Sequence, residues 1–135
     1  MQQPTSLLTV AITAIVLCCA ITIRASDQPT TKAMSEDEKI EALIRRVDEL
    51  KDATFIRNGT EHDCHAAAKH MRDKWNYGKK EIHSALEFID KAASKSSASG
   101  KPYLIRYKDG REVESGAFLR DELKKIESGE SSSSR

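Results

Sequence analysis

The stretch Ala53–Tyr77, ATFIRNGTEHDCHAAAKHMRDKWNY, decides how this chain folds. Thr54–Arg57 favours a strand, because β-branched and aromatic side chains suit a pleated surface. Asn58-Gly59 tolerates positive φ and ends that strand in a turn. Thr60, with Asp63 three residues later, has the spacing of a helix capping box. The stretch therefore predicts a strand, a turn and a helix that begins at Thr60.

The predicted second helix carries one apolar stripe, because small and large apolar residues recur at helical spacing. The stripe consists of Cys64, Ala67 or Ala68, Met71 and Trp75. Gly78 lies just past the last of these and is a plausible stop. Since Cys64 begins the stripe, we expect it to be a small buried hydrophobe and chemically inert.

Three further helices are predicted on either side of this stretch. Ser35 and Glu38 form a capping box before an apolar repeat of Ile40, Leu43, Ile44, Val47 and Leu50. A third helix is expected from about Lys79 to Lys95, with Phe88 at one flank of a buried stripe formed by Ile82, Ala85, Leu86, Ile89 and Ala93. The last helix spans roughly Ser115 to Glu127, with Phe118, Leu119, Leu123 and Ile126 facing inward.

Two more extended segments complete the predicted sheet. Tyr103–Tyr107 reads as a strand, Asp109-Gly110 as a hairpin turn, and Glu112–Glu114 as a short returning edge strand. A lone hairpin is marginal in water, so we expect Thr54–Arg57 to pair beside Tyr103–Tyr107, in either orientation. The predicted fold class is an α-dominated α+β domain with four helices packed around a two- or three-stranded sheet.

The chain of 135 residues is predicted to be one small domain behind an export signal. Leu7–Ile23 is an apolar run without a charge, and Ala25 follows it at a suitable cleavage position. The expected divisions are a signal peptide at 1–25, a linker at 26–34, the domain at 35–127 and a disordered tail at 128–135. A retained N-terminal anchor is the alternative, and a membrane contact is expected only in that case.

Charge and cysteine content narrow the classes of partner. The chain holds 22 Lys and Arg against 21 Asp and Glu, and removal of Arg24 with the signal makes the mature protein neutral. No basic run with interleaved aromatic residues is present, so nucleic acid is not an expected partner. Cleavage also leaves Cys64 as the only cysteine, so no intrachain disulfide is expected. No cofactor-binding motif is complete.

The cluster His62-Asp63-Cys64-His65 is the first candidate for chemistry. Two histidines and a thiol resemble part of a metal site or of a Cys–His nucleophile. A third ligand on another element is not evident, and Cys64 belongs to the apolar stripe. We therefore predict neither a metal site nor a catalytic residue here.

A second candidate is a polar groove beside the second helix. His70 and Lys74 lie one helical turn apart and flank the apolar stripe. If the turn after Thr54–Arg57 lies near the loop Ser99–Pro102, one shallow, partly cationic groove results. Its predicted border is Arg57, Asn58, His70, Lys74, Ser99 and Lys101.

Several segments of the chain resemble those of a known family. They are Phe55–Gly59, His70–Arg72 with Lys74, Ala92–Ser96, Ser99–Tyr103, Phe118-Leu119 and Glu122-Leu123. Together they resemble the YfeK-like family of small exported bacterial proteins of unknown function, over about Ile40 to Ile126. The resemblance implies a Gram-negative periplasmic setting and supplies no activity.

These features favour a non-enzymatic periplasmic or secreted binding module, whose partner is a protein or a polar or anionic ligand of the envelope. A hydrolase-like enzyme using His70 with Lys74 or Ser99 is the first alternative. It lacks a recognisable arrangement of nucleophile, base and orienting group. The second alternative is an inhibitor of a cell-wall-degrading enzyme, in which the loop Ser99–Tyr103 inserts and Lys101 meets catalytic carboxylates.

Overall fold

The computed structural model describes residues 33–129. These residues belong to the unit Lys32–Arg135. The predicted signal peptide, nearly all of the predicted linker and most of the predicted tail lie outside the described residues. Between residues 33 and 129, no helix combines the length and the apolar composition that a membrane span requires.

Helix α1, Glu36–Asp48, confirms the predicted capping box. The hydroxyl of Ser35 accepts a hydrogen bond from the backbone of Glu38, and the Glu38 carboxylate accepts one from the backbone of Ser35 at 2.6 Å. Two of the free backbone N–H groups at the start of this helix are thereby satisfied. The apolar face is fully buried and consists of Ile40, Leu43, Ile44 and Val47.

The predicted start of the second helix is wrong, because Thr60 belongs to a strand. Strand β1, Ala53–Arg57, and strand β2, Thr60–Asp63, form an antiparallel hairpin in which Arg57 is opposite Thr60. Asn58 (φ 53°) and Gly59 (φ 82°) both have left-handed backbones, as the tightest hairpin turns require. Helix α2, Cys64–Gly78, begins four residues later than predicted. Its N-cap is Asp63, whose carboxylate accepts from the backbone of Ala66 at 2.6 Å.

The third helix is shorter than predicted and changes type along its length. Ser84 caps helix α3, Ala85–Phe88, which continues as a π-helical segment, Ile89–Ala93. The hydroxyl of Ser94 donates to the carbonyl of Ile89 at 2.6 Å at the end of this segment. Two predicted orientations are wrong, because Leu86 is half exposed whereas Phe88 is fully buried. A turn at residues 79–81 follows α2, and in it the Gly78 carbonyl accepts from the backbones of Glu81 and Ile82.

The sheet has four antiparallel strands rather than two or three, in the order β2-β1-β3-β4. Strand β3 spans Leu104–Tyr107 and strand β4 spans Glu112–Glu114. The predicted pairing of the first strand with the Tyr103–Tyr107 segment is confirmed, with Phe55 opposite Ile105 and Ile56 opposite Leu104. Because this pair is antiparallel, the Asn58-Gly59 turn lies at the end of the sheet where β3 begins.

The helices pack on one face of this sheet and enclose a single core. Helix α4, Ser115–Glu127, has the predicted bounds and buries Leu119 and Leu123. Phe55 and Ile105 reach the core from neighbouring strands, and Met71 and Trp75 reach it from α2. Among residues 33–129 the α+β class with four helices is confirmed, and the number of strands is corrected.

Candidate functional site

Asn58 joins the hairpin turn to the loop that precedes β3. Its amide nitrogen donates to the hydroxyl of Ser96 at 3.3 Å, and its amide oxygen accepts from the hydroxyl of Ser99 at 2.6 Å. The loop is closed on itself, because the Ser96 backbone donates to the carbonyl of Lys101 and accepts from the backbone of Gly100, each at 2.9 Å. Asn58 and Ser99 are therefore held together, as the groove hypothesis requires.

His70 and Lys74 converge on the ring of Tyr103, which is 2% exposed. The Lys74 ammonium lies 5.5 Å from the centre of that ring and donates to the backbone carbonyl of Lys95 at 3.3 Å. The imidazole of His70 meets the same ring edge-on at 6.4 Å, and Phe55 packs against it at 5.4 Å between centroids. Tyr103 is thus the floor on which the two α2 side chains rest.

Arg57 adds a third basic group to this floor. Alternation along β1 puts Arg57 on the same face of the sheet as Phe55, which packs on Tyr103. Burial lowers the pKa of Lys74, and the nearby Arg57 guanidinium lowers it further. Burial likewise lowers the pKa of His70, with Arg57 and Lys74 adding to the effect against an opposing contribution from Asp73. We call Arg57, His70 and Lys74 the cationic cluster.

No carboxylate of residues 33–129 forms an ion pair with Arg57 or Lys74. The nearest acidic residue along the helix, Asp73, is instead paired with Lys69 at 2.8 Å. Arg57 and Lys74 therefore have no ion pair with residues 33–129, and the members of the cluster disfavour one another's charged forms. An anion placed between them would remove that repulsion.

Two depressions meet at His70. The smaller, of about 210 Å³, is lined by Phe55, Arg57, His62, Ala66, Ala67, Lys69, His70 and Asp73. The larger, of about 470 Å³, runs along α2 towards the π-helical segment and shares His70 and Asp73 with the first. The cationic cluster thus spans both, with Arg57 in the smaller and Lys74 in the larger.

Sequence reasoning missed His62 and Tyr103 as members of this site. The Nε2 atom of His62 is buried and has no hydrogen-bond partner in the described part of the chain. A buried polar atom without a partner is costly and needs an explanation. The Asn58-Gly59 pair could have revealed His62. In a hairpin with this turn, β2 pairs with β1 so that His62 lies opposite Phe55 and faces the core side.

The structure brings five of the six predicted groove residues together and leaves Lys101 apart from the two depressions. Arg57, His70 and Lys74 form the cationic cluster, and Asn58 and Ser99 form the hydrogen-bonded pair beside it. Lys101 is exposed, lines neither depression, and its ammonium contacts no partner between residues 33 and 129. Whether these residues bind a partner stays a prediction.

The Ser99 hydroxyl and the Cys64 thiol, both considered as candidates for chemistry, have hydrogen-bond partners other than His70. Within the described range no hydrogen bond joins Ser99 to His70, since the Ser99 hydroxyl donates to Asn58. No group of three His, Cys, Asp or Glu side chains over residues 33–129 is placed to hold a metal ion. Cys64 is buried as predicted, burial raises the pKa of its thiol, and the thiol donates to the carbonyl of Ala53 at 3.4 Å.

Comparisons with known proteins agree with the resemblance seen in the sequence. The profile of the Family of unknown function DUF5329 matches residues 34–127. The Uncharacterized protein YfeK of Salmonella typhimurium (strain LT2) is 44% identical over 68 residues, which are 50% of this chain and 57% of that protein. This chain therefore spans little more than half the length of the curated relative it matches. No solved structure matches the chain. The chain belongs to the DUF5329 family, of which YfeK-like proteins are relatives.

Proposed function

We propose that this member of the DUF5329 family is an exported, non-enzymatic binding module that holds an anionic group at its cationic cluster. The observation that carries the proposal is the convergence of Arg57, His70 and Lys74 on the buried ring of Tyr103. Arg57 and Lys74 form no ion pair with a carboxylate between residues 33 and 129, and Asp73, which is paired with Lys69, only partly opposes their effect on the pKa of His70. A carboxylate, phosphate or sulfate of an envelope ligand or protein has the chemistry to fill this position.

The unpartnered Nε2 of His62 supports the same proposal. His62 lines the smaller depression together with Arg57 and His70. In the tautomer with its proton on Nε2, the imidazole can donate to an oxyanion. A bound anion would therefore supply both a counter-charge for the cluster and a partner for this buried nitrogen.

The test is a titration of the domain with sodium acetate and with sodium phosphate, followed by amide chemical shifts at constant ionic strength. We compare the wild type with Arg57→Met, which keeps an apolar stem but removes the guanidinium. Arg106→Met is the matched control, because Arg106 is an arginine of β3 outside both depressions. Loss of two charge-assisted hydrogen bonds should weaken binding about tenfold or more in Arg57→Met. Equal affinities in the two variants would overturn the proposal.

Export is the other part of the proposal and has its own measurement. Cleavage after Ala25 gives a mature protein that begins at Ser26. Mass spectrometry of the envelope fraction should detect that terminus. Recovery of an intact Met1 in membranes would show an anchor instead.

A second candidate function is inhibition of a cell-wall-degrading enzyme by the loop Ser99–Tyr103. It is favoured by the exposed Lys101 side chain at the base of a loop that its own hydrogen bonds hold in shape. If it is correct, Lys101→Ala relieves inhibition of a peptidoglycan-cleaving glycosidase and Lys108→Ala does not. Absence of inhibition by the wild-type domain would dismiss this candidate and leave anion binding untouched.

A further inference from the structure

The larger depression follows one face of α2. His70, Lys74 and Tyr77 are separated by intervals of three or four residues, so they share that face. The helix covers about 12 Å between His70 and Gly78. A volume of about 470 Å³ lies in the range of small-molecule pockets. The depression is therefore long enough for a molecule larger than a simple anion.

Its walls differ in character from one end to the other. His70 and Lys74 supply basic groups at the end nearest the sheet. Ile82 and Ala92 supply apolar surface further along, beside Lys91, whose ammonium is already engaged by the Glu81 carbonyl at 2.6 Å and the Glu87 carboxylate at 3.7 Å. This polarity fits a molecule with a charged group at one end and an apolar body.

The acidic residues in the lining do not cancel this polarity. Asp73 is paired with Lys69 at 2.8 Å. Glu81 is exposed and lies eleven residues beyond His70, at the other end of the depression. The basic end is therefore the end without a counter-charge from the described residues.

Tyr77 stands at the edge of this depression with 96% of its surface exposed. A tyrosine ring so exposed contributes nothing to the core, yet it adjoins apolar surface from Ile82 and Ala92. Ala92 reaches the depression from the π-helical segment, a type of helix that is rare and often found at functional sites. Tyr77 is placed to cover a bound apolar group by stacking.

We infer that this depression is a binding pocket for a small organic anion, with the carboxylate or equivalent group at His70 and Lys74 and the apolar body between Ile82, Ala92 and Tyr77. The inference rests on the proposed anion-binding function and deepens it, since it assigns the class of ligand. Simple anions then occupy only one end of the site.

The experiment compares three probes by isothermal titration and amide chemical shifts: sodium acetate, sodium 4-phenylbutyrate and neutral 4-phenylbutanol. We expect 4-phenylbutyrate to bind at least about tenfold more tightly than acetate, because its ring leaves water. The alcohol should bind about tenfold more weakly than 4-phenylbutyrate, because it lacks the charge. Chemical-shift changes should include Tyr77, Ile82 and Ala92 for the phenyl probe and should be confined to the cluster for acetate.

Two variants locate the apolar body. Tyr77→Ala removes an exposed ring and leaves the core intact, so it should weaken 4-phenylbutyrate about threefold to tenfold and leave acetate unchanged. Leu86→Ala is the control, because Leu86 is also an exposed apolar residue, 51% exposed, but does not line the depression. It should change neither affinity.

The remaining outcomes separate the two hypotheses. If acetate and 4-phenylbutyrate bind equally well, or if Tyr77→Ala has no effect, the pocket inference fails while anion binding stands. If 4-phenylbutanol binds as tightly as 4-phenylbutyrate, the charged end is not used and the inference is wrong. If neither anion binds, the proposed function fails together with the inference.

Discussion

Two arginines on neighbouring strands have opposite surroundings. Arg106 of β3 pairs in register with Thr54, so it projects from the outer face of the sheet, whereas Arg57 of β1 shares the inner face with Phe55. Arg106 forms ion pairs with Glu61 and with Glu112, the latter at 2.8 Å, and these hydrogen bonds raise its pKa.

Arg57 has the reverse environment. It lies beside His70 and Lys74 and lowers the pKa of both. Within residues 33–129, carboxylates pair with the arginine on the open face of the sheet, and none pairs with the arginine where the surface is concave. Concavity combined with uncompensated charge is what distinguishes a candidate binding site from ordinary surface charge.

The largest expected effect comes from removing the floor of the cationic cluster. Tyr103→Ala should lower the free energy of unfolding by about 3–4 kcal/mol, because it empties a fully buried position. Tyr107→Ala is the matched control at the other end of β3, where the partly buried ring stacks with Arg111 at 4.3 Å. It should cost about 1 kcal/mol. Urea unfolding measures both, and a larger loss for Tyr107→Ala would refute the assignment of Tyr103 as the floor.

The next effect tests the turn beside the cluster. Asn58→Ala should cost about 1–2 kcal/mol, because alanine tolerates φ 53° poorly and cannot replace the hydrogen bonds to Ser96 and Ser99. Asn58→Gly restores the backbone freedom but not the hydrogen bonds, so the difference between the two variants isolates the backbone contribution. Thermal and urea unfolding of both are the measurements. Equal stability of all three proteins would contradict the observed hairpin.

The comparison of the two arginines predicts stability changes of opposite sign. Arg57→Met should raise the free energy of unfolding slightly, by about 0.5 kcal/mol, because it removes repulsion from the Lys74 ammonium. Arg106→Met should lower it, because two ion partners lose their cation. Both differences should shrink in high salt, where charges are screened. Destabilisation by Arg57→Met would mean that Arg57 contributes to the fold after all.

The smallest effect is a dependence on pH that belongs to His70. Its pKa in the folded protein lies below the ordinary value of 6.5, so the unfolded chain holds more protons between the lowered value and about 6.5. The free energy of unfolding should therefore rise with pH across that window and level off above it. His70→Gln should remove this rise, and His83→Gln, at an exposed position outside the cluster, should not. A saturating concentration of a bound anion should reduce the rise in the wild type.

Helix α1 was predictable because its periodicity and its capping residues point to the same answer, and α4 was predictable from its apolar periodicity alone. The capping box at Ser35 and Glu38 satisfies the start of α1, and the apolar repeat buries its face. The pairing of β1 with β3 was also predictable, since both are short apolar strands that need a partner. Local chemistry and packing agree in these elements.

Strand β2 was not predictable by the same route, because its sequence fits two structures. Thr60 and Asp63 have capping-box spacing, but Asn58-Gly59 is the strongest short-range signal for a two-residue hairpin. Pairing with β1 decides between them, and Asp63 then caps α2 instead. The exposure of Leu86 was missed for another reason: the predicted helix begins near Lys79, whereas the Ser84 cap starts α3 at Ala85.

The candidate site was partly predictable. His70 and Lys74 follow from helical spacing, and Arg57 and Asn58 follow from the end of β1. The position of His62 could be predicted only once β2 was recognised as a strand. The role of Tyr103 follows from the packing of α2 side chains against its ring, just before β3. Contacts of that kind join different segments of the chain, so the residue pattern within one segment cannot predict them.

The π-helical segment Ile89–Ala93 has a consequence for how members of this family can differ in length. A π turn holds one more residue than an α turn, so a relative that lacks one residue here would form a continuous α-helix without disturbing the elements on either side. In such a relative, the residues equivalent to Lys91 and Ala92 would be rotated away from α2. The length of this short segment would then report which relatives have inherited the pocket along α2 and which have lost it.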